Sequence, residues 1–377
     1  MMQNVNSELG QKARKKKSLS YKTLLTTSTA TTVMMIASPA YAQLQVTPNV
    51  DAAGAPGTAS TVASGTNVVN PGTNDFGALI ESLAGTTHAV SSGSNIDLND
   101  DQNDTFIVIS GTVTNTATND EQVAIFIDNA EDAANVTVNA GGALNGTNGV
   151  IFFEGDEAVL TNNGTITGTG NASEGVVYFD RDADDNENVV INNGTITSFG
   201  GPTIGFDALL GDVPSSSEAA AATLAAPVEY SGFGTLTLTN TGTISNSDGA
   251  DDGDSDAINI NGDPGNTGDG SDGGGDDNPR GCLETTNASA DLTQRLTGSD
   301  IRNLNCQVNL NITNSGVIST ARDSGSNAGI VIENDAVLIG NDSDTRSNII
   351  NQAGGQITGA GNGIIVNGAH ADHALLI

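Results

Sequence analysis

Hydrophobic and polar residues alternate in short runs along most of this chain, and two such runs recur together. The first has the form apolar-x-Asn-x-Gly-x-apolar-Thr/Ser, as in residues 160–167 and 238–245. The second has the form apolar-x-apolar followed by an acid or Asn. Alternating β-branched residues favour strands with one buried face, and Asn and Gly favour turns that tolerate positive φ. The pattern therefore predicts short strands separated by turns.

The two runs form a repeat of seven copies. The first run is clear at residues 160–167, 191–197, 238–245 and 312–319, looser at 138–145 and 350–358, and degenerate at 109–114. The second run occupies residues 125–128, 151–154, 177–180, 204–207, 258–261, 330–333 and 364–367. The tightest spacing, from Gly142 to Gly164, is 22 residues. Internal repeats of this length are typical of a solenoid.

We therefore predict an all-β fold, a single-stranded parallel β-helix (solenoid) of about seven coils with long inserted loops. Each strand is too short to stand alone, but it can pair in parallel with its equivalent one coil away, about 4.8 Å distant. An antiparallel sandwich of short strands is the alternative fold, but it gives no reason for the same Asn and Gly to recur.

Composition and the repeats together predict the organisation of the chain. The approach to the first coil is rich in Gly, Ser, Thr, Asn and Pro, as linkers and caps are. The predicted parts are a signal peptide (1–42), a low-complexity linker or N-terminal cap (43–95), the parallel β-helix (96–369) with insertions near 208–232 and 246–305, and a truncated C-terminal tail (370–377).

The first residues have the order of an export signal. A basic segment precedes a mildly apolar stretch at 24–37, and Ala40-Tyr41-Ala42 supplies the small residues of a cleavage site before Gln43. The apolar stretch is too short and too rich in Thr to remain in a bilayer. We predict export by this signal peptide, to the cell surface or outer membrane or into the medium.

The chain is strongly acidic, with a net charge of −33. All its lysines and half of its 12 basic residues lie within 1–42, so the remainder is more acidic still. Such a surface repels phosphate backbones and anionic lipid. We therefore expect no nucleic-acid partner, and divalent cations are the natural complement of the charge.

The recurring polar residues are the candidate sites. Stacked Asn side chains can hydrogen-bond along a solenoid and satisfy turn amides, so the recurring asparagines predict a structural ladder. The ladder residues are Asn139, Asn162, Asn192, Asn240, Asn314 and Asn351.

Four acids close the second run in successive coils: Asp128, Glu154, Asp180 and Asp207. One interpretation is a solvated turn with splayed side chains. The sharper hypothesis is a cation column, because stacked carboxylates offer the oxygen ligands that Ca²⁺ takes. Apart from this possible Ca²⁺, the sequence predicts no cofactor.

The two cysteines lie on either side of an acidic insertion. In an exported chain, Cys282 and Cys306 are predicted to form a disulfide that ties the insertion to the solenoid. Two free thiols are the alternative.

Parallel β-helices also include polysaccharide-active enzymes. A lyase of that kind needs a basic residue as general base beside calcium-binding carboxylates. No lysine follows residue 42, and His88, His370 and His373 lie outside the seven copies. We predict no catalytic residue and no enzymatic activity, and a secreted polysaccharide lyase or hydrolase is the alternative function.

The chain resembles the passenger region of an autotransporter, the type V secretion family, of the parallel β-helix type. The resemblance rests on the export signal, on the Asn-Asn-Gly-Thr-Ile-Thr copies at Asn162 and Asn192, and on Ser/Thr/Asn-rich coils over 96–369. It implies a cell-surface or secreted protein with a structural or adhesive role that its inserted loops carry. The implied partner is an unknown extracellular ligand: a glycan, a host protein or a sister cell.

In that family a C-terminal β-barrel carries the passenger through the outer membrane. This chain departs from the family, because it ends at Ile377 just after a coil and lacks barrel strands. The expectation is a truncated product or export by another protein, with an outer-membrane β-barrel as partner if the full gene encodes one.

Overall fold

The computed structural model divides the chain into two units, residues 1–39 and 40–377, and all described residues lie in the second. The structure describes residues 43–48, 57–71, 77–98, 105–118, 122–128, 134–154, 157–170, 175–179, 187–207, 234–247, 256–261, 307–321, 327–332, 337–338, 347–366 and 375–376. All the regular secondary structure in these segments consists of β-strands. They contain no helix with the length and apolarity needed to cross a bilayer.

The strands form three long sheets, and sheet 1 has twelve of them. Its members are β1 (Gln43–Pro48), β2 (Ser60–Ala63), β4 (Ala78–Ser82), β7 (Phe106–Ile109), β10 (Asn135–Val138), β13 (Val159–Asn162), β16 (Glu187–Asn192), β19 (Gly234–Asn240), β22 (Gln307–Asn314), β25 (Val337–Leu338), β26 (Ser347–Asn351) and β29 (Leu375–Leu376).

Sheets 2 and 3 have eight and nine strands. Sheet 2 consists of β5 (Thr87–Val90), β8 (Thr112–Asn115), β11 (Ala143–Gly146), β14 (Thr165–Gly168), β17 (Thr195–Ser198), β20 (Thr243–Asn246), β23 (Val317–Thr320) and β27 (Gln356–Thr358). Sheet 3 consists of β3 (Val68–Val69), β6 (Ile96–Leu98), β9 (Ile125–Ile127), β12 (Ile151–Phe153), β15 (Val177–Phe179), β18 (Ile204–Asp207), β21 (Ile258–Asn261), β24 (Ala328–Ile332) and β28 (Asn362–Val366).

Each coil takes one strand from sheets 1, 2 and 3 in turn, and the chain then returns to sheet 1 one coil further on. The strands β13, β14 and β15 form one coil, and they pair in parallel with β16, β17 and β18 of the next. The described residues contain eight complete coils, from β4–β5–β6 to β26–β27–β28. The predicted parallel β-helix is confirmed, and the parallel pairing excludes the antiparallel sandwich.

One coil precedes the seven that the sequence pattern shows. It is β4–β5–β6, and most of it lies within residues 43–95, the stretch that composition assigns to a linker or cap. Its first corner turns at Gly85 with φ +77° and lacks the Asn-x-Gly signature. The repeat pattern therefore does not identify this coil. Before this coil, β1 pairs antiparallel with both β2 and β4.

The core lies between the three sheets and is built from columns of equivalent side chains. In sheet 2, Leu144, Ile166, Ile196, Ile244 and Ile318 lie opposite one another in successive strands, and all are fully buried. Each coil alone is too small to bury an apolar side chain, so the stacking supplies the burial that stabilises the strands.

Two corners of the coil differ in length. The corner from sheet 1 to sheet 2, here called the Asn corner, has only two residues in four consecutive coils: 163–164, 193–194, 241–242 and 315–316. The connection from sheet 3 back to sheet 1, here called the return corner, ranges from residues 154–158 to residues 262–306.

Both predicted insertions involve the return corner. Residues 208–233 connect β18 to β19, and residues 262–306 connect β21 to β22. The insertion predicted near 246–305 is therefore not continuous, because the strand β21 lies inside it and belongs to the solenoid.

Candidate functional site

Five asparagines stack at the ends of sheet 1 strands, where the Asn corner begins. In every case the Nδ2 of one asparagine donates a hydrogen bond to the Oδ1 of its equivalent in the next coil. The distances are 2.8 Å from Asn162 to Asn192, 2.8 Å from Asn192 to Asn240, 2.7 Å from Asn240 to Asn314 and 2.8 Å from Asn314 to Asn351. These residues therefore form an unbroken chain of hydrogen bonds across five coils, as the predicted ladder requires.

The same amides also close the corner. The Nδ2 of Asn192 donates to the carbonyl oxygen of Thr243 at 3.1 Å, and the Nδ2 of Asn240 donates to that of Val317 at 3.2 Å. Asn162, Asn192, Asn240 and Asn314 are fully buried. Because buried amides need hydrogen-bond partners, this network gives the ladder asparagines a structural role.

Asn139, the sixth predicted member, is not in the ladder. Val138 lies opposite Asn162, so Asn139 is one position too late, and its Nδ2 donates to Ser110 Oγ at 2.8 Å. The corner of this coil is longer, with residues 139–142 between the strands, and Gly141 turns it with φ +86°. The extra length shifts the asparagine out of register.

The sequence predicted that the glycines of the tight Asn corners allow a positive φ, but the structure gives a different reason for them. None of Gly164, Gly194, Gly242 and Gly316 has φ in the left-handed region. A Cβ on Gly242 would instead collide with the backbone oxygen of Gly194, one coil before it. Glycine is required here because successive corners pack backbone against backbone.

The predicted acidic column is described only in part. Asp128 and Glu154 follow β9 and β12 at equivalent places, half-buried, where their backbone N–H groups donate to Leu98 and Ile127 at 2.8 and 2.7 Å. Asp207 ends the strand β18, opposite Asn261. Asp180 lies outside the described residues. Within those residues, no three His, Cys, Asp or Glu side chains form a group suited to a metal ion.

The structure adds one carboxylate that the repeat pattern does not include. Asp97 lies in β6, opposite Phe126 in the coil that carries Asp128. Burial raises the pKa of Asp97 above its ordinary value, and the negative charge of Asp128 raises it further. The two carboxylates therefore repel each other at the start of the return corner, which is the condition that a bound cation would relieve.

A cluster of aromatic side chains lies on sheet 3. Phe126, Phe152 and Tyr178 occupy one column of aligned residues, with ring centroids 6.5 Å apart for the first pair and 4.9 Å for the second. Phe152 and Tyr178 are buried, and Val123 packs against the cluster. This column is separate from the main core. In the pair Phe152-Phe153 the first side chain belongs to the aromatic column and the second to the core, so two adjacent aromatic residues are the signal in the sequence.

The histidine within the described residues is a core residue. His88 lies opposite Val113 and is fully buried at the start of the sheet 2 column. Burial lowers its pKa, and the backbone of Thr66 opposes this in part. Its position is that of an apolar side chain, which does not fit a general base reached by substrate.

Several predictions fall outside the described residues: the signal peptide at 1–42, Cys282 and Cys306, His370 and His373. Comparison with protein-family models, with curated proteins and with solved structures finds no match to this chain.

Proposed function

We propose that the chain is an exported passenger-like protein of the cell surface, or a secreted one, whose β-helix presents inserted segments for adhesion. The observation that supports this most is the difference between the corners. The longest insertions, 208–233 and 262–306, both leave from the return corner, while the asparagine ladder passes them without a break. Insertions on one side of a repeat protein commonly form its binding face.

Charge narrows the class of partner. The return corner begins beside the acidic pair Asp97 and Asp128, and the chain as a whole has a net charge of −33. Repulsion of phosphate disfavours nucleic acid. A glycan, a host protein or the surface of a sister cell is the proposed ligand class.

The export signal in residues 1–42 and the resemblance to autotransporter passengers support an extracellular location. In this proposal an outer-membrane β-barrel, encoded in the same gene or in a separate one, carries the chain across the outer membrane. The protein is proposed to act by binding, without catalysis.

Protease accessibility on intact cells tests the location. An epitope tag placed in residues 208–233 should be removed by external protease, while a cytoplasmic marker protein in the same cells stays intact. A tagged chain that remains protected until the cells are lysed, with residues 1–42 still attached, would contradict export.

Excision of the insertions tests the adhesive role. Replacement of residues 262–306 or 208–233 by a short Gly/Ser linker should abolish attachment in at least one of the two variants. Surface amounts of both variants should match the unaltered protein. Unchanged attachment by both variants to every surface that the parent binds would exclude the insertions as the binding face.

A further inference from the structure

The outer face of sheet 2 carries two parallel rows of neutral residues, here called the hydroxyl face. Its strands alternate buried positions with half-buried or exposed ones, so every second residue points outward. From β8 to β27 the outward pairs are Thr112/Thr114, Ala143/Asn145, Thr165/Thr167, Thr195/Thr197, Thr243/Ser245, Val317/Ser319 and Gln356/Thr358. None of these residues is charged, in a chain with 45 acids.

The rows are regular because the pairing is continuous. Thr165 lies opposite Thr195, and Thr195 lies opposite Thr243. The second row follows the same register through Thr167 and Thr197. The outward residues of β14, β17 and β20 all carry hydroxyl groups and form the longest uninterrupted block. A β-branched Thr has few side-chain rotamers, so the hydroxyl and methyl groups stand in ordered rows.

The geometry of a parallel sheet sets the spacing of this grid. Neighbouring strands are about 4.8 Å apart, and residues two positions apart along a strand are about 6.7 Å apart. In the strands β14, β17 and β20 the residues that carry hydroxyl groups therefore repeat in two directions at these intervals, and each hydroxyl is both donor and acceptor. Side-chain rotation brings the Oγ1 of Thr197 to 3.5 Å from the Oγ of Ser245.

Two features restrict what such a grid can bind. The absence of charge disfavours an ionic ligand, and the absence of aromatic residues in the rows removes the stacking surface on which a sugar ring would lie. A partner that matches a two-dimensional grid must itself be periodic in two dimensions. Crystalline water has this property and presents only hydrogen-bond donors and acceptors.

The spacing of ice follows from its hydrogen bonds. Oxygens joined tetrahedrally by hydrogen bonds of about 2.75 Å lie about 4.5 Å apart when they share a neighbour, and the layer stacking repeats after about 7.3 Å. These two repeats differ from those of the grid by only about a tenth. Side-chain rotation can absorb a difference of that size over a few coils.

We propose that the hydroxyl face binds ice, with the block Thr165–Ser245 on β14, β17 and β20 at its centre. The methyl and hydroxyl groups hold surface water in positions that continue the crystal lattice. Among the described residues, the other two sheets differ from this face: on sheet 3 the column outside the main core contains the buried aromatic residues Phe152 and Tyr178, and sheet 1 mixes Ile191 with Thr239 in one row. This inference is independent of the proposed adhesive role of the insertions.

The test compares two threonines of one coil. Thr243 lies in the hydroxyl face and Thr239 lies in the outward row of sheet 1, and both are half-buried. The purified full chain should lower the freezing point of water below its melting point and keep annealed ice crystals small. Thr243→Lys should abolish both effects, because a long charged side chain breaks the grid, while Thr239→Lys should leave both unchanged.

Thermal unfolding of the two variants checks that each is folded, and an acidic protein of similar mass checks for a nonspecific effect. No difference between the full chain and that acidic protein would overturn the proposal. So would equal loss of the effect in Thr239→Lys and Thr243→Lys. Retention on a neutral insoluble polysaccharide without any effect on ice would reassign the face to glycan binding.

Discussion

The Asn corner and the return corner belong to the same coils but obey different physical rules. At the Asn corner, the backbone of Gly242 packs on that of Gly194, and Asn240 hydrogen-bonds with its equivalents on both sides. At the return corner, the chain takes anything from residues 154–158 to residues 262–306 to make the same connection. One corner holds the coils in register, and the other is free to vary. A solenoid can therefore change its surface on one side without any change in its stacking.

Substitution at the closest contact should have the largest effect. In Gly242→Ala the new Cβ meets the carbonyl oxygen of Gly194, and the two backbones must separate. We expect a loss of about 3 kcal/mol in the free energy of unfolding, the upper end of the usual cost of overpacking. Urea denaturation measures it. Gly141→Ala is the informative control, because a Cβ there meets open space and only the φ of +86° penalises it.

Removal of one ladder residue should cost less. Asn240→Ala removes one of the two acceptors of the Asn192 Nδ2, and it removes the Nδ2 that donates to the Oδ1 of Asn314 and to the carbonyl oxygen of Val317, all in a buried site. We expect a loss of about 2 kcal/mol, since each unsatisfied buried group costs about 1–3 kcal/mol. The neighbouring outward change Thr239→Ala should alter stability by less than about 0.5 kcal/mol. Equal effects from the two substitutions would show that the ladder contributes nothing specific.

Calcium should act on the return corner and leave the Asn corner unaffected. If the acids beginning with Asp128 and Glu154 bind Ca²⁺, a tenfold excess over the dissociation constant should add about 1.4 kcal/mol to stability. Thermal unfolding in chelator and in millimolar Ca²⁺ measures the difference, and Asp128→Asn should reduce it. An identical melting temperature in both solutions would contradict the hypothesis that the acidic column binds Ca²⁺.

Acidification should weaken the first coil through His88. Burial lowers the pKa of His88 from 6.5, and this effect outweighs the opposing effect of the Thr66 backbone. Above pH 6.5 both the folded and unfolded states are neutral at this ring. As the pH falls below 6.5, the unfolded state takes up a proton that the native ring resists, so stability decreases until the lowered native pKa is reached.

The matched variant is His88→Val, because Val113 already occupies the same column one coil later. Thermal unfolding between pH 7.5 and pH 5.5 should show a smaller pH dependence in this variant than in the parent. The same slope in both would exclude His88 as the source of the pH dependence.

The smallest effect should come from the longest insertion. Loop-closure entropy changes by only about 0.6 kcal/mol for each doubling of loop length, so replacement of residues 262–306 by a Gly/Ser linker of about half that length should change stability by only about 0.6 kcal/mol. Circular dichroism and thermal unfolding of the shortened chain measure this. A large loss of stability would show that the insertion packs on the coils, and the contrast between the two corners would then weaken.

The repeat made much of the fold predictable. Period-two alternation in Thr165-Ile166-Thr167 and its copies identified strands with one buried face, and their recurrence predicted parallel stacking between equivalents. The structure pairs Ile166 with Ile196 and Ile196 with Ile244 accordingly. The ladder from Asn162 to Asn351 was predictable for the same reason, because equal positions in a repeat must meet.

Other features had no signature that the repeat could reveal. The coil β4–β5–β6 turns at Gly85 and has no Asn-x-Gly corner, so composition made it resemble a linker. The displacement of Asn139 depended on corner length, which decides register but is invisible to a residue pattern. The proximity of Asp97 and Asp128 comes from the pairing of neighbouring coils, and Asp97 does not belong to the repeat pattern.

The sequence by itself determined that the chain folds as stacked β-coils with an asparagine ladder, because alternation and repetition dictate which residues face inward and which equivalents pair. Only the tertiary structure decided why the corner glycines are needed, where the insertions leave and which side chains share an outer face. Those properties depend on distances between backbones of different coils, and a one-dimensional pattern does not contain those distances.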